Sequence, residues 1–539
     1  MHSFLAFHEV QRKMRYNLGW YFTKAYAIMC SIDKYYYFGK AGNTMQVLYK
    51  STRGKEETVT ASMAILKGLS EDGGLFVPTE IPKLDVPMNE LAKMSYQETA
   101  YEVMKRFLTD FTEDELKNCI NNAYDEKFDT KEIAPLHEAD GAYFLELYHG
   151  ATIAFKDMAL SILPYLMQVS AKKNDVKNEI VILTATSGDT GKAALAGFAD
   201  VPGTSIIVFY PKDGVSPIQK QQMLTQEGKN THVVGIEGNF DDAQTGVKRI
   251  FNDKALAEKM NQNGYQFSSA NSINIGRLVP QVVYYFYSYK TLLKNGKIKS
   301  GDKVNFVVPT GNFGNILAAY YAKEMGLPVN KLICASNENK VLYDFFQNGT
   351  YDRNREFILT SSPSMDILVS SNLERLIYFI TGRNSELTKE YMESLSKEGV
   401  YSVAADSFAN ADEFYGGYAT EDEDKTTIKT VFENEHYVLD THTAVAVAVY
   451  NKYVAETGDK TPTVVDSTAS PYKFTKSVME AIDPKHADED DFELVNELEK
   501  LSGVPIPKAV SEIITAPILH KRICAADKMK EEVCDILGI

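Results

Sequence analysis

The chain has 539 residues, 44% hydrophobic and 24% charged, with a net charge of −16. That length exceeds one ordinary core and predicts two or three domains of globular composition. The negative balance disfavours nucleic acid as a partner, and no run of eighteen apolar residues is present to span a membrane.

The five cysteines are scattered without a C-x-x-C pair, which argues against a disulfide framework or zinc knuckle and for a reducing compartment. The histidines are dispersed too, so no metal site is expected. Residues 1–44 are basic and aromatic, with Arg12, Lys13, Arg15, Lys24, Lys34 and Lys40 against Glu9 and Asp33. No cleavage signal follows them. Met45 reads as a fresh start, and 1–44 are expected to stand outside the fold.

From Met45 to about residue 130 the pattern is helical with short extended pieces. Ser62 is expected to cap a helix over Met63–Lys67, and Thr112-Glu113-Asp114-Glu115 resembles a capping box. After Lys131 short β-branched runs alternate with helix-length segments. The strands are expected at Ile180–Thr184, Ser205–Tyr210, Thr231–Ile236, Tyr265–Ser268, Val304–Val308, Leu332–Ala335 and Thr463–Val465. Helices are expected at Gly191–Ala199, Ile218–Gln226, Asp241–Met260, Ile275–Leu293 and Asn315–Met325. Continuous apolar strands alternating with helices predict open parallel α/β sheets, with ligands at the strands' carboxyl ends. The long helix after Ser268 is expected to cross from one sheet to another. The tyrosine-rich run Tyr284–Tyr289 in that helix reads as core. The acidic runs Glu421–Asp424 and Asp488–Asp491 read as solvated loops or faces.

Four stretches carry possible chemistry. Gly311-Asn312-Phe313-Gly314-Asn315 follows a strand and opens a helix, so its backbone N–H groups can cradle a phosphate. Ser187-Gly188-Asp189-Thr190-Gly191-Lys192 is a second strand–turn–helix. A Walker A reading fails there on glycine spacing and on Ala193, leaving a polar turn suited to a small ligand. Ser269-Ala270-Asn271-Ser272-Ile273-Asn274, with Arg277, offers hydroxyls, amides and a guanidinium to an oxyanion. Lys156, beside Phe155, is a candidate desolvated amine able to attack an aldehyde. Taken alone, each stretch has a bland reading as turn or cap chemistry. Together they suggest pyridoxal phosphate held by one loop and by Lys156, with a second loop for a substrate anion.

His149-Gly150-Ala151-Thr152-Ile153-Ala154-Phe155-Lys156-Asp157 resembles the H-G-P-T-x-A-F-K-D signature of the threonine synthases. The resemblance continues through Ser51-Thr52-Arg53-Gly54, Asp72–Pro78, the three loops above, His442–Ala446 and Thr468-Ala469-Ser470-Pro471-Tyr472-Lys473-Phe474, in family order. It is similar to the longer bacterial and fungal branch. Ala151 departs from the usual Pro, Thr441 from a frequent Pro, and Ser470 from a frequent His.

The resemblance implies a fold-type-II pyridoxal-phosphate enzyme with two α/β lobes and an N-terminal helical lobe. It implies a lobe over 45–130, a large cofactor-binding lobe over 131–184 and 295–539, and a small lobe over 185–294. Lys156 would hold the cofactor aldehyde as a Schiff base, and Gly311, Asn312, Phe313, Gly314 and Asn315 its phosphate. Phe155 would lie beside the ring, with Thr468 facing the pyridine nitrogen. Ser187, Asp189, Thr190, Asn271, Ser272, Asn274 and Arg277 would line the substrate site. The implied reaction converts O-phospho-L-homoserine and water to L-threonine and phosphate. The alternative is a phospho-lyase releasing 2-oxobutyrate. A cytoplasmic monomer or homodimer is expected.

Overall fold

The computed structural model describes residues 46–54, 57–186, 188–213 and 215–539. The expectations for 1–44 and for Ser187 lie outside these residues. Val47–Ile539 form one compact unit.

Two large sheets organise it, with two small antiparallel pairs, β1 (Tyr49–Ser51) with β2 (Phe76–Pro78) and β11 (Thr350–Asp352) with β12 (Val400–Ser402). The first large sheet has six strands: β3 (Leu136–Ala139), β4 (Ala142–Glu146), β9 (Val304–Pro309), β10 (Val329–Ser336), β13 (Phe414–Tyr418) and β14 (Thr463–Ser467). Their order is β13-β10-β9-β14-β4-β3. All neighbours are parallel except the β3–β4 hairpin. The second sheet is wholly parallel, in the order β15-β7-β6-β5-β8. It contains β5 (Glu179–Ala185), β6 (Thr204–Pro211), β7 (Thr231–Glu237), β8 (Tyr265–Ser268) and β15 (Arg522–Ala525). β6 and β9 are buried along their whole length, as strands covered on both faces must be.

Pairing places two segments differently from the sequence expectation. The run Ile180–Thr184 falls within the range expected for the larger lobe, but β5 lies between β6 and β8 in the five-stranded sheet. The C-terminal strand β15 returns to pair with β7. It is short and half-exposed, so it carries little hydrophobic signal. The expected crossing after Ser268 is present, because the helix Ile275–Lys294 leads from β8 to β9 in the other sheet. Its tyrosines at 284, 285 and 289 are fully buried.

Eight helices carry or border the site: α1 (Asp157–Leu160), α2 (Asp189–Phe198), α3 (Pro217–Leu224), α4 (Ile275–Lys294), α5 (Gly314–Glu324), α6 (Glu421–Glu435), α7 (Thr441–Thr457) and α8 (Thr475–Ile482). Before them, the helix Ala61–Lys67 is capped by Thr60 rather than Ser62, while Ser95 and Thr112 each form a capping box. The expected helix Asp241–Met260 is two, Phe240–Phe251 and Lys254–Gln262. Asp253 accepts from Leu256 N–H and so starts the second. The acidic run at 421 is not a loop. It is the first turn of α6, closed by a Thr420–Glu423 capping box, and Asp424 is buried. Asp490 likewise caps the helix Asp491–Ser502.

Candidate active site

Lys156, after β4, lies against Asp189, after β5, and the segments after β8 and β9 are joined by Asn372, whose amide donates to the Ser272 and Asn312 carbonyls. The turn that carries Lys156 is fixed from several sides. Asp157 accepts from Thr152 N–H at 2.8 Å and from Thr152 Oγ1 at 2.6 Å. Lys473 Nζ donates to the Thr152 carbonyl at 2.8 Å, and Phe155 N–H donates to the Thr468 carbonyl at 2.8 Å. Gly150 is required, since a Cβ there would come within 2.6 Å of Asp157 Cβ. These ties supply the rigidity that Ala151, exposed on the same turn, does not.

Lys156 is 9% exposed. Its Nζ lies 4.6 Å from the centre of the Phe155 ring, donates to Ser364 Oγ at 3.1 Å and sits 3.4 Å from Asp189 Oδ2. Burial lowers its pKa; Asp189 opposes this, and Lys473 and Arg277 add to it. A neutral amine is therefore accessible without a strong base nearby.

Asp189 is the hub of the site. Burial alone would raise its pKa, but Lys473 and Lys156 together hold its carboxyl well below the usual range. Its Oδ1 lies 3.0 Å from Lys473 Nζ and accepts from Gln219 Nε2 at 2.7 Å. Ser364 Oγ donates to its Oδ2 at 2.9 Å. Ser364 N–H in turn donates to His442 Nε2 at 3.1 Å, which assigns the His442 ring proton to Nδ1, facing Asp440 at 3.1 Å. His442 lies at the start of α7 and holds the turn that touches Lys156.

The loop after β9 leaves backbone donors free at a helix start. Phe313 takes a left-handed conformation, with φ of 64°, and no side chain caps α5. Leu317 is the first residue of the helix whose N–H finds a backbone carbonyl, that of Phe313. The carbonyls of the loop are drawn off elsewhere: Gly311 O accepts from Ser370 Oγ at 2.6 Å, and Asn312 O from Asn372 Nδ2 at 2.9 Å. The donors left over are backbone N–H groups at the positive end of a helix dipole. The side chains of this loop do other work. Phe313 packs against Phe346 and Phe414. Asn315 accepts from the hydroxyls of Tyr284 and Tyr285 and donates to Asp466 Oδ2 at 3.0 Å. Burial pushes the Asp466 carboxyl up to about 7.

Thr468, at the end of β14, is buried, and its hydroxyl has no protein partner among the described residues. A buried amine, an uncapped helix start and an uncommitted hydroxyl fit the aldehyde, phosphate and ring nitrogen of pyridoxal phosphate.

The expected substrate residues separate. Arg277 is buried without a carboxylate partner. Its Nη1 donates to the Ala270 carbonyl at 3.1 Å, and its Nε has no partner. Burial lowers its pKa to about 10. This is a cation lacking an anion. Thr190 is half-buried in the first turn of α2. Asn271 Oδ1 lies 3.5 Å from Thr184 Oγ1, and the Ser272 carbonyl lies 3.3 Å from Asn372 Nδ2. Asn274 is committed to the fold instead: its amide donates to the Ile65 and Ser269 carbonyls, and its carbonyl oxygen accepts from Gly276 N–H. Sequence reasoning missed Ser364, Gln219 and Asp440. Lys473 stood inside a noted motif without a role. Ser364 carries no signal at all in a Ser-rich stretch.

Comparison with known proteins defines the class first. A family described as "Pyridoxal-phosphate dependent enzyme" matches residues 129–467. Families described as "Threonine synthase N terminus" and "Threonine synthase, C-terminal" match 48–124 and 443–516. Threonine synthase of Schizosaccharomyces pombe is 38% identical over 465 residues, covering 80% of this chain and 89% of that one. The threonine synthase-like 1 protein of Macaca fascicularis is 40% identical over 461 residues, covering 83% of this chain and 61% of its own length. The crystal structure of yeast threonine synthase matches with a TM-score of 0.82 at 34% identity, covering 92% of this chain and 99% of that one. The PLP-bound enzyme from Brucella melitensis matches with a TM-score of 0.80 at 34% identity, covering 90% and 98%. The chain belongs to the threonine synthase family, and pyridoxal phosphate is its cofactor. Among the described residues no helix is long and apolar enough to cross a membrane.

Proposed function

We infer that the chain converts O-phospho-L-homoserine and water to L-threonine and phosphate, the last step of threonine biosynthesis. The observation that carries this reading is the buried, carboxylate-free Arg277 beside the Lys156 site. A second anion is expected there besides the cofactor phosphate, and a phosphorylated amino acid supplies it.

Pyridoxal phosphate, when bound, supplies the electron sink that acidifies the substrate's α and β positions. The chain's own residues do the rest. In this reading the backbone N–H groups of Gly311, Asn312, Phe313, Gly314 and Asn315 hold the cofactor phosphate. Phe155 would lie beside the ring, and Thr468 Oγ1 would offer its nitrogen a neutral hydroxyl. Lys156 Nζ would hold the aldehyde. When free, it would be the base that removes the substrate's α-proton and the acid that returns it. Ser364 Oγ and Asp189 keep that nitrogen in place between the two tasks. Arg277, with Ser187, Thr190, Asn271 and Ser272, meets the substrate's phosphate and carboxylate. The enzyme is read as a cytoplasmic monomer or homodimer without nucleic-acid or membrane partners, in keeping with the net charge of −16 and the scattered cysteines.

The test is one assay: phosphate release and threonine formation from O-phosphohomoserine, for wild type and Lys156→Ala. The variant should lose about a thousandfold or more in turnover. The 40% identity to a protein named only threonine synthase-like keeps a second reading in play, elimination without hydration. Threonine as product supports the first reading, and 2-oxobutyrate the second.

A further inference from the structure

Behind the active-site turn lies a cavity of about 200 Å³ that the reaction does not use. It is bordered by α6, α7, α8 and the segment ending at the Pro363–Met365 turn. Its walls are polar and mostly acidic: Glu421, Asp424 and Glu480 with the hydroxyls of Thr441 and Ser477. The single cation in the wall, Lys425, is already paired with Glu480 at 3.0 Å.

Asp424 is 1% exposed. Its Oδ2 accepts from Ser361 Oγ at 2.9 Å, while its Oδ1 is buried without any partner. Glu421 uses one oxygen, Oε1, on the N–H and hydroxyl of Ser361. Ser477 Oγ has no protein partner among the described residues. The cavity thus offers acceptors in excess and no uncommitted cation. A buried carboxylate oxygen left unsatisfied is costly unless a donor meets it. Among the described residues no group of three His, Cys, Asp or Glu could hold a metal ion. A primary ammonium group has three N–H donors on one positive centre. At about 30 Å³ per water, the space equals roughly seven waters, enough for a short amine.

We propose that this cavity is a binding site for a small ligand bearing a primary ammonium group. It would be received by Asp424, Glu421 and the hydroxyl of Ser477. The site touches the catalytic turn. Thr441 Oγ1 donates to the Ser361 carbonyl at 2.8 Å, and the adjacent His442 accepts from the N–H of Ser364, which holds Lys156 Nζ. Occupancy therefore acts on the residue that positions the catalytic amine.

Burial, with Glu421 and Asp440 nearby, raises the Asp424 pKa well above the carboxylate range; Ser361 and Lys425 oppose this. Glu480 from α8 faces the same space. A bound ammonium favours the ionised carboxylate, so binding releases a proton and tightens as pH rises.

The experiment is thermal unfolding of the holoenzyme at fixed ionic strength, titrated with ammonium, methylamine or tetramethylammonium chloride. The last is a cation with no N–H to donate. Ammonium and methylamine should give a saturable rise in the midpoint, on the order of 1–2 °C. Tetramethylammonium should give none. The apparent Kd should fall by up to about tenfold per pH unit below the Asp424 pKa. Asp424→Asn should abolish the response; if that variant does not fold, Glu421→Gln combined with Ser477→Ala should weaken it. Preference for methylamine would point to an organic amine, and preference for ammonium to the inorganic ion. A response shared by tetramethylammonium, a response retained in Asp424→Asn, or no saturable response in wild type would overturn the proposal. This readout does not depend on which reaction the enzyme catalyses.

Discussion

Two helix starts, α4 at Ile275 and α5 at Gly314, look alike in sequence and are built in opposite ways. Both follow the carboxyl end of a parallel strand, and both have asparagine and glycine at the turn. At α4 the asparagine caps the helix and ties it to Ile65, and the first turn buries an arginine without a carboxylate. At α5 no side chain caps the helix, and its asparagine is turned into the core. The first presents charge on a side chain, and the second presents backbone dipoles. Dipoles carry no net charge to desolvate, which suits a cofactor phosphate that stays. A buried guanidinium is costly while it waits, but it binds a visiting anion strongly.

The contrast predicts opposite effects on stability and function at α4. Arg277→Gln removes a charge-assisted contact, expected to cost about 2–3 kcal/mol, or roughly 30–150-fold in kcat/KM. The loss should fall mainly on KM, with cofactor absorbance intact. The same change removes an unpaired buried charge, so the unfolding midpoint should stay level or rise. Unchanged kcat/KM in the variant would remove Arg277 from the substrate site.

At α5 the sensitive position is backbone. A Cβ on Gly311 would come within 2.4 Å of the Ser364 carbonyl, so Gly311→Ala must push the cradle away from the turn that holds Lys156. Overpacking of this kind costs about 1–3 kcal/mol, which should appear as roughly 5–150-fold weaker cofactor binding on reconstituting the apoenzyme. Asn315→Asp is the companion change. It alters the side chain and keeps the N–H, so a fall in cofactor affinity as large as that of Gly311→Ala would contradict a backbone cradle.

Asn274→Ala should do the reverse of Arg277→Gln. It loses a helix cap worth about 0.5–2 kcal/mol and the tie to Ile65, so stability should fall while KM holds. Urea unfolding and steady-state kinetics on one preparation separate the two. A raised KM at unchanged stability would return Asn274 to the substrate site.

How far the sequence leads depends on whether a feature is local. The strand runs, the crossing helix and the strand–turn–helix at Gly311–Asn315 were legible because apolar periodicity and a glycine turn are written within a few residues. The commitment of Asn274 and Asn315 was not, because their partners, Ile65 and Asp466, lie 209 and 151 residues away. The same holds for Ser364, whose role exists only because it is brought to Lys156 from 208 residues off. The acidic run at 421, expected as a solvated loop or face, is a helix's first turn with Asp422 exposed and Asp424 buried. The burial of Asp424 was not legible, because its partner Ser361 lies 63 residues away. Strand β15 was invisible because half-exposed edge strands lack a hydrophobic pattern.

The smallest expected effect lies on the turn leading to Lys156. His149 Nδ1 lies 2.6 Å from Asp129 and Nε2 2.9 Å from Glu146. Burial would lower its pKa, but the two carboxylates dominate and raise it from 6.5 to about 9. The folded state therefore holds this proton more tightly than the unfolded chain does. Its contribution to stability is full below about pH 6.5 and is lost as pH rises through about 9. Partial exposure of Asp129 keeps the effect modest. His149→Gln, which cannot carry the charge, should be less stable than wild type at pH 6 and converge on it by about pH 10, with little change in kcat at neutral pH. Urea unfolding of both proteins across that range is the check. A stability difference that does not change with pH would mean that the histidine acts by packing against Tyr148, 4.9 Å between ring centres, and not by its charge.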